Sequence, residues 1–531
     1  MLTPYLKYTV GARHRLDSNE KSYCALFYLD LNYYNLVYFY HNFIHNYTTM
    51  DKICVSKDML RNFLELPYDV LEEMNLKAID DGKKLSALEL QKKHTEYLRN
   101  ERRIKAVTIC FTDIEGRLHM LDYDKKFFLE SLENLTFDGS SIKGFTPQHE
   151  SDLRLGIDWT SLRHFPSDVF GPGKVIFFAS VQNPDRTPYH SDFRGMLRSY
   201  TEELHKKEGL TANASPEIEG FLVDGVNGEQ NYSKNGGLTL ISSGGYFHSL
   251  PMDPLRIFID RSAEAQRAMG FRNEKDHPEV APSQFEMNFS YSEVVRAGDN
   301  VQLYKLICRQ VARNMGLTAT FLPKPFVGIN GSGCHLNFSL ARNGKNIFYD
   351  KKGKDGLSKT AHDFILRLLN HAPEICLVLN SSVNSYRRLD PHFEAPNQIK
   401  VSPVDRGSMI RIPVGDERTA RIELRSVAPD ANPYLVLFTM LKTGLEGRKL
   451  EKEDGKRDRL RFLPDNLHDA IALFKASKFM TSILGEDSKE KFISYKQAVA
   501  DRSPKALGNI IKNGEVLFHH EVSNQLLWNN F

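Results

Sequence analysis

The stretch SPEIEGFLVD, residues 215–224, constrains this chain most, because it sets Glu217 and Glu219 two residues apart in a run otherwise fit for a buried strand. Side chains alternate along a strand, so the two carboxylates share a face, while Ile218 and Phe221 suit the packed side. Two like charges that close repel each other and raise a pKa unless a cation stands between them. An exposed polar face produces the same pair by alternation alone, so both readings stay open on this segment.

Three more segments repeat the pattern. GSGCHLNFSL puts His335, Asn337 and Ser339 on one strand face, and ARIELRS does so with Arg421, Glu423 and Arg425. HPEVAPSQFEMNF adds Glu279 and Glu286 across a proline-containing bend, where both can turn toward one point. Five carboxylates and one imidazole (Glu217, Glu219, Glu279, Glu286, Glu423 and His335) suit Mg²⁺ or Mn²⁺ rather than a thiolate zinc site. Taken singly, His335 reads first as a satisfied structural histidine, and Arg421 to Arg425 as a solvated strand face. Their joint occurrence favours a charged site.

The remaining composition excludes several classes. At 531 residues the prior is two or three domains, and a formal charge of +3 is too balanced for nucleic acid or membrane to be the main partner. Six scattered cysteines without a C-x-x-C pair fit free thiols in the cytoplasm. Residues 24–45 are apolar but carry Asp30, asparagines and histidines, which argues against a membrane span, and the first residues do not read as a signal peptide. The Tyr/Asn-rich composition breaks at Met50, so residues 1–49 are expected to be a mobile extension or the product of a start codon set too early. Residues 50–102 read as helical, 103–190 as a small β-rich domain with a hairpin turn at Glu115 and Gly116, and 191–531 as a large α+β domain. Helices in the last are expected at about 193–207, 300–314 and 359–370.

An ordered series of motifs runs from about residue 86 to the C-terminus: FDGSSIKGF, PEIEGF, GGYF, EVAPSQFE, KPFVGINGSGCHLNFS, NSYRRL, FEAP, DRGSMIRIP and RIELRSVAPDANPYL. On these the chain resembles glutamine synthetase of the bacterial and archaeal type I class. The resemblance implies an α+β fold, with an N-terminal β-grasp domain and a larger catalytic domain whose curved antiparallel sheet forms a funnel. It also implies a homo-oligomer, a dodecamer of two hexameric rings, whose sites are completed by a neighbour's N-terminal domain. Its reaction joins ammonia to the γ-carboxylate of L-glutamate, with ATP and at least two divalent ions.

By the same resemblance Glu219, Glu279 and Glu286 hold one metal, and Glu217, His335 and Glu423 hold the metal on the ATP phosphates. Arg406 and Arg411 act on the transferring phosphoryl group, and Glu274, Asn337, Ser339, Arg418 and Arg421 line the nucleotide side. Asn330, Gly331, Arg388 and Arg425 meet glutamate, the guanidinium of Arg388 matching its α-carboxylate. Asp138 is implied as general base at an ammonium site with Ser141, Tyr246 and Glu279, although D-G-S-S by itself reads as a turn. Glu394 in FEAP corresponds to the flap glutamate that closes over the acyl phosphate.

Some positions depart from the family pattern. Pro278 stands where a histidine is common and Ser283 where glycine is usual, while Asp390, His392 and Phe393 replace valine, glycine and tyrosine. No adenylylation tyrosine is recognisable in LEKEDGKRDRLRFLPDNL, so control by that modification is not expected. Two rival readings accompany the resemblance: a ligase joining glutamate to a larger amine, and a structural or regulatory protein on the same fold that has lost catalysis.

Overall fold

The computed structural model describes residues 64–235, 237–389, 395–450 and 460–502. The expectations for residues 1–49, for Asp390, His392, Phe393 and Glu394, and for most of the segment after Leu450 lie outside the described residues.

The described chain opens with two helices, Tyr68–Lys84 and Ala87–Asn100. The second starts on a capping box: the Ser86 hydroxyl accepts from the Glu89 amide at 3.4 Å, and the Glu89 carboxylate accepts from the Ser86 amide at 2.8 Å. Buried Asn75 on the first helix accepts from the His164 amide and donates to the carbonyls of His164 and Ala268, tying both halves of the molecule together.

Six strands form the first sheet: β1 (Ala106–Thr112), β2 (Leu118–Asp124), β3 (Thr136–Asp138), β4 (Asp152–Ile157), β5 (Arg163–His164) and β6 (Lys174–Gln182). Their order is β2-β1-β6-β4-β3 with β5 on β6, and only β1 and β6 run parallel. The turn joining β1 to β2 holds because the Asp113 carboxylate accepts the amides of Glu115 and Arg117, and Gly116 adopts φ +84°. This sheet buries Val107, Ile109, Phe111, Phe128 and Phe177 in a core of its own.

A ten-stranded sheet follows, formed by β7 (Leu210–Val223), β8 (Asn273–Pro278), β9 (Gln284–Phe289), β10 (Ser292–Glu293), β11 (Thr318–Thr320), β12 (Cys334–Arg342), β13 (Lys345–Asn346), β14 (Gln398–Ser402), β15 (Ser408–Arg411) and β16 (Ile422–Leu424). The order is β14-β15-β16-β12-β7-β9-β8, with β10 and β11 on β7 and β13 on β12. Register aligns the polar residues: Arg411 pairs with Glu423, Glu423 with Asn337, His335 with Glu217, Glu219 with Glu286, and Glu286 with His277. The polar rows of separate strands thus become one band crossing six strands. On the other face Ile218, Leu336, Phe338 and Leu424 join the main core with the helices Phe193–Glu208, Val294–Asn314, Lys359–Leu379 and Pro433–Glu446. Each such fully buried side chain contributes about 1.5–3 kcal/mol.

The structure corrects the sequence reading in three places. Phe221 shares the side of Glu217 and Glu219, not that of Ile218, and packs in a separate small cluster with Val223 and Ala281. The helix expected at 300 starts at Val294 and includes Gly298, which makes room for Tyr434: a Cβ there would lie 2.6 Å from that ring. The helix expected to end near 370 continues to Leu379 with Pro373 inside it.

The two sheets are joined by buried charge. Arg194, fully enclosed, donates to Asp299 and to Asp158 at 2.8 Å, and the Tyr434 hydroxyl donates to Asp299 at 2.7 Å. The last described helix, Glu486–Arg502, docks on the small sheet: the Tyr495 hydroxyl accepts from the Gly144 amide and Lys496 pairs with Glu115.

Candidate active site

The polar band floors a cavity of about 280 Å³ containing two groups of metal-ligating side chains. Glu217, His335 and Glu423 form one, and His277, Glu279 and Glu286 the other; within each, one ligand atom per residue lies within 4.8 Å of the others. Glu219 stands between them. Its carboxylate accepts from the Gly333 amide at 2.8 Å and from Gln284 at 3.2 Å, and lies 4.0 Å from His335 Nδ1. A side chain at position 333 would strike Arg388 and His335, so only glycine lets the backbone approach Glu219 this closely.

His277, which the sequence reading does not single out, lies with Glu279 and Glu286, and Glu219 lines the same cavity beside them. Glu219 Oε2 accepts from Gly333 and Gln284, and His277 Nδ1 lies 3.6 Å from Glu279. The missed signal was spacing: His277 and Glu279 are two apart along β8, as Glu217 and Glu219 are along β7.

Electrostatics separates the two groups. Burial acts to raise the Glu217 carboxyl, but His335, Asn337 and Arg411 outweigh it and hold it at about 2. Glu279 is pushed up to about 7, by burial first and by Glu219 next, and Glu286 is driven well above its ordinary value by burial and the three neighbouring glutamates. Clustered carboxyls held protonated by mutual repulsion are what a divalent cation would relieve, so this donor set fits a hard divalent ion.

Arginines surround the carboxylates. Arg411 and Arg425 both donate to Glu423, at 2.6 Å and 3.0 Å. Arg388 donates to the Arg425 carbonyl at 2.9 Å, and burial pulls it down to about 10, leaving it charged at neutral pH. Arg388 Nη1 and Arg425 Nε are buried with no acceptor among the described residues. Two orphaned guanidinium donors in one cavity call for an anion. Asn330, Gly331, Arg406 and Tyr246 line the same cavity.

A second cavity of about 280 Å³ adjoins the first through Glu217, Lys275 and Asn288. Glu274, Asn337, Ser339, Arg418 and Arg421 line it, as does the exposed ring of Tyr291, which sequence reasoning also missed. Arg421 donates to the Asn337 side-chain oxygen at 2.9 Å, and Asn337 donates to Glu217 at 2.9 Å, linking the two cavities. A larger groove of about 1120 Å³ beside Leu467–Ala476 contains neither metal-ligating group.

Asp138 and Ser141 are not among the residues lining these cavities. They lie exposed on the small sheet, where residues 139–141 form the turn that D-G-S-S suggests. The Asp138 carboxylate accepts from the hydroxyls of Ser140 and Ser141 at 2.6 Å, and these bonds, Ser140 first, hold it below the usual carboxylate range.

Comparison with known proteins agrees with this architecture. Residues 103–184 match the glutamine synthetase β-grasp domain, and residues 190–509 the glutamine synthetase catalytic domain. The glutamine synthetase of Methanosarcina mazei is 38% identical over 418 residues, covering 75% of this chain and 91% of that protein. That of Thermotoga maritima is 35% identical over 432 residues, covering 78% and 96%. Among solved structures, the Plasmodium falciparum glutamine synthetase superposes with a TM-score of 0.71 at 22% identity, over 80% of this chain and 98% of that one. A GmaS/ADP complex gives 0.68 at 26% identity, over 80% and 99%. No helix among the described residues is long and apolar enough to cross a membrane. A β-grasp sheet, a carboxylate-floored catalytic sheet and matches across both place the chain in the glutamine synthetase family.

Proposed function

We propose that this chain makes L-glutamine from L-glutamate, ammonia and ATP through a γ-glutamyl phosphate. The observation that carries this reading is the pairing of two carboxylate–imidazole groups with orphaned arginine donors in one cavity, which joins to a second cavity lined by arginines and an exposed aromatic ring. A carboxylate resists amines because oxide is a poor leaving group; phosphorylation supplies a better one.

Arg388 and Arg425 grip the glutamate α-carboxylate with donors that otherwise have no acceptor among the described residues, and Asn330 and Gly331 add polar contacts. The nucleotide occupies the cavity of Glu274, Asn337, Ser339, Arg418 and Arg421, with the Tyr291 ring available to stack on its base. Arg406 and Arg411 stand where charge builds on the phosphoryl group. Two divalent ions, Mg²⁺ or Mn²⁺, held by Glu217, His335 and Glu423 and by Glu279, Glu286, His277 and Glu219, would supply charge neutralisation there.

Ammonium must lose a proton before it attacks. Tyr246 and Glu279 form this chain's part of the ammonium site, and Asp138 with Ser141 serves the site of a neighbouring subunit. That division rests on the exposure of the Asp138 turn and its location on the small sheet, and it requires a homo-oligomer, proposed as two stacked hexameric rings. Glu394, outside the described residues, closes over the acyl phosphate. The small domain spans about 103–190 and the catalytic domain 191–531; the cytoplasm is the proposed compartment.

The test is ADP release by purified protein with glutamate and ATP, comparing ammonia with putrescine, ethanolamine and spermidine. Ammonia should support turnover and the larger amines should not. Activity with a polyamine and none with ammonia would transfer the reading to a larger-amine ligase, and none with any amine would point to a non-catalytic protein.

A further inference from the structure

The turn that carries Glu279 ends at Ser283, a fully buried residue with φ +60°, in the left-handed region that favours glycine. Its side chain does something glycine cannot. The Ser283 hydroxyl accepts from the amides of Ile241 at 2.8 Å and Ser242 at 2.9 Å, and donates to the Ser242 carbonyl at 3.3 Å. One donor and two acceptors are all that a hydroxyl offers, and here all three go to one segment.

That segment leads into the loop bearing Tyr246 and Phe247. Gly244 lies against the same turn, where an added Cβ would meet the Ala281 carbonyl at 2.7 Å, and the Gly245 amide donates to the Glu279 carbonyl at 3.2 Å. The Tyr246 ring stacks on Phe247 with centroids 3.9 Å apart, and both rings meet His277 edge-on. Below, the Leu222 amide donates to the Ser283 carbonyl at 2.9 Å, anchoring the turn to β7 three residues beyond Glu219. Ser283 is therefore a joint between three parts of the cavity: the β7 strand, the Glu279 turn and the aromatic loop.

We propose that Ser283 is a positioning residue for the amine subsite: its hydroxyl fixes the aromatic loop, and through it Tyr246, relative to Glu279. This rests on the reading above that Tyr246 and Glu279 receive the amine. Without the hydroxyl, two half-buried amides lose their acceptor and the loop keeps only its backbone bonds to the turn.

Two variants separate positioning from stability. Ser283→Gly removes the hydroxyl together with the left-handed penalty, whereas Ser283→Ala removes the hydroxyl and keeps a Cβ in the strained conformation. Positioning predicts that both raise KM for ammonium about tenfold, the worth of roughly one net hydrogen bond or two, with KM for glutamate and for ATP within about twofold. Ser283→Gly should show this with a melting temperature above that of Ser283→Ala, because only the glycine variant also sheds the left-handed penalty. Hydrogen exchange of the peptide spanning 241–248 should be faster in both variants. If Ser283→Gly keeps the parental ammonium KM and exchange rate, the proposal is overturned. If the parent itself turns over no amine, the functional reading fails separately, and exchange at 241–248 alone decides whether Ser283 holds the loop.

Discussion

Removing divalent ions and titrating them back at several pH values probes the carboxylate cluster directly. Glu279 is pushed up to about 7 and Glu286 well above its ordinary value, so an ion entering their group must expel protons. A carboxyl with that pKa is about nine-tenths protonated at about pH 6 and about one-tenth at about pH 8, and each expelled proton costs about 1.4 kcal/mol per pH unit below the pKa. Ion affinity at this group should therefore fall about fivefold from pH 7 to pH 6 on account of Glu279 alone, and further with the raised Glu286. Glu217, held at about 2, stays ionised throughout and has no carboxyl proton to give up. Calorimetry in two buffers of different ionisation enthalpy counts the protons, and Glu279→Gln should reduce the count by about one at pH 6. The folded values lie above the unfolded value of 4.5, so the stability these groups contribute to chelated protein is complete below about pH 4.5 and is lost as pH rises through about 7. Chelated protein should melt higher at pH 6 than at pH 8, and added Mg²⁺ should stabilise it more at pH 8. Flat affinity between pH 6 and 8, with no proton release, would refute the reasoning.

Three further outcomes follow from other contacts. Glu115, enclosed between Lys143 and Lys496, is held at about 2 by these lysines against the opposing effect of burial; Lys496→Met should cost about 3–5 kcal/mol in chemical denaturation at neutral pH. Because that folded value is depressed, the pair's contribution is present above about pH 4.5 and fades as pH falls toward 2, so the deficit of the variant should shrink in acid. Arg388→Lys keeps the charge but loses the planar fork, and should raise KM for glutamate about 10- to 100-fold while leaving KM for ATP nearly unchanged in steady-state assays. Asp138→Ala and Glu219→Ala chains, each nearly inactive alone (loss of the Asp138 base costing about 10²- to 10⁴-fold), should regain partial activity when co-assembled, and a mixed oligomer confirmed by mass that shows no gain would exclude a shared site.

What the sequence disclosed was the chemistry within strands; what it hid was the contacts between them. Alternation exposed the polar rows of Glu217 and Glu219, of His335, Asn337 and Ser339, and of Glu423 with its arginines, because strand periodicity is local. Their alignment into one band depends on register between strands more than a hundred residues apart, as for Glu217 opposite His335. His277 escaped because its partner Glu286 lies on the next strand, although the two-residue spacing to Glu279 was readable. Phe221 was misplaced because burial was inferred from hydrophobicity, when its side of the strand changes from polar to apolar within two residues. The helices expected at 300–314 and 359–370 run further, across Gly298 and Pro373: Tyr434 occupies the space at one, and the helix carrying the other is buried along most of its length. The Arg194–Asp299–Asp158 joint was equally out of reach, since nothing in the surrounding sequence pairs charges that far apart.

Glutamate labelled with oxygen-18 in its γ-carboxylate offers the most direct test of the central claim. If ATP phosphorylates that carboxylate and ammonia then displaces the phosphate, the phosphate released should carry one labelled oxygen for each glutamine formed, as read by mass spectrometry. Glutamine formed with unlabelled phosphate would contradict the acyl-phosphate route, and with it the roles given to the arginines and the two carboxylate groups.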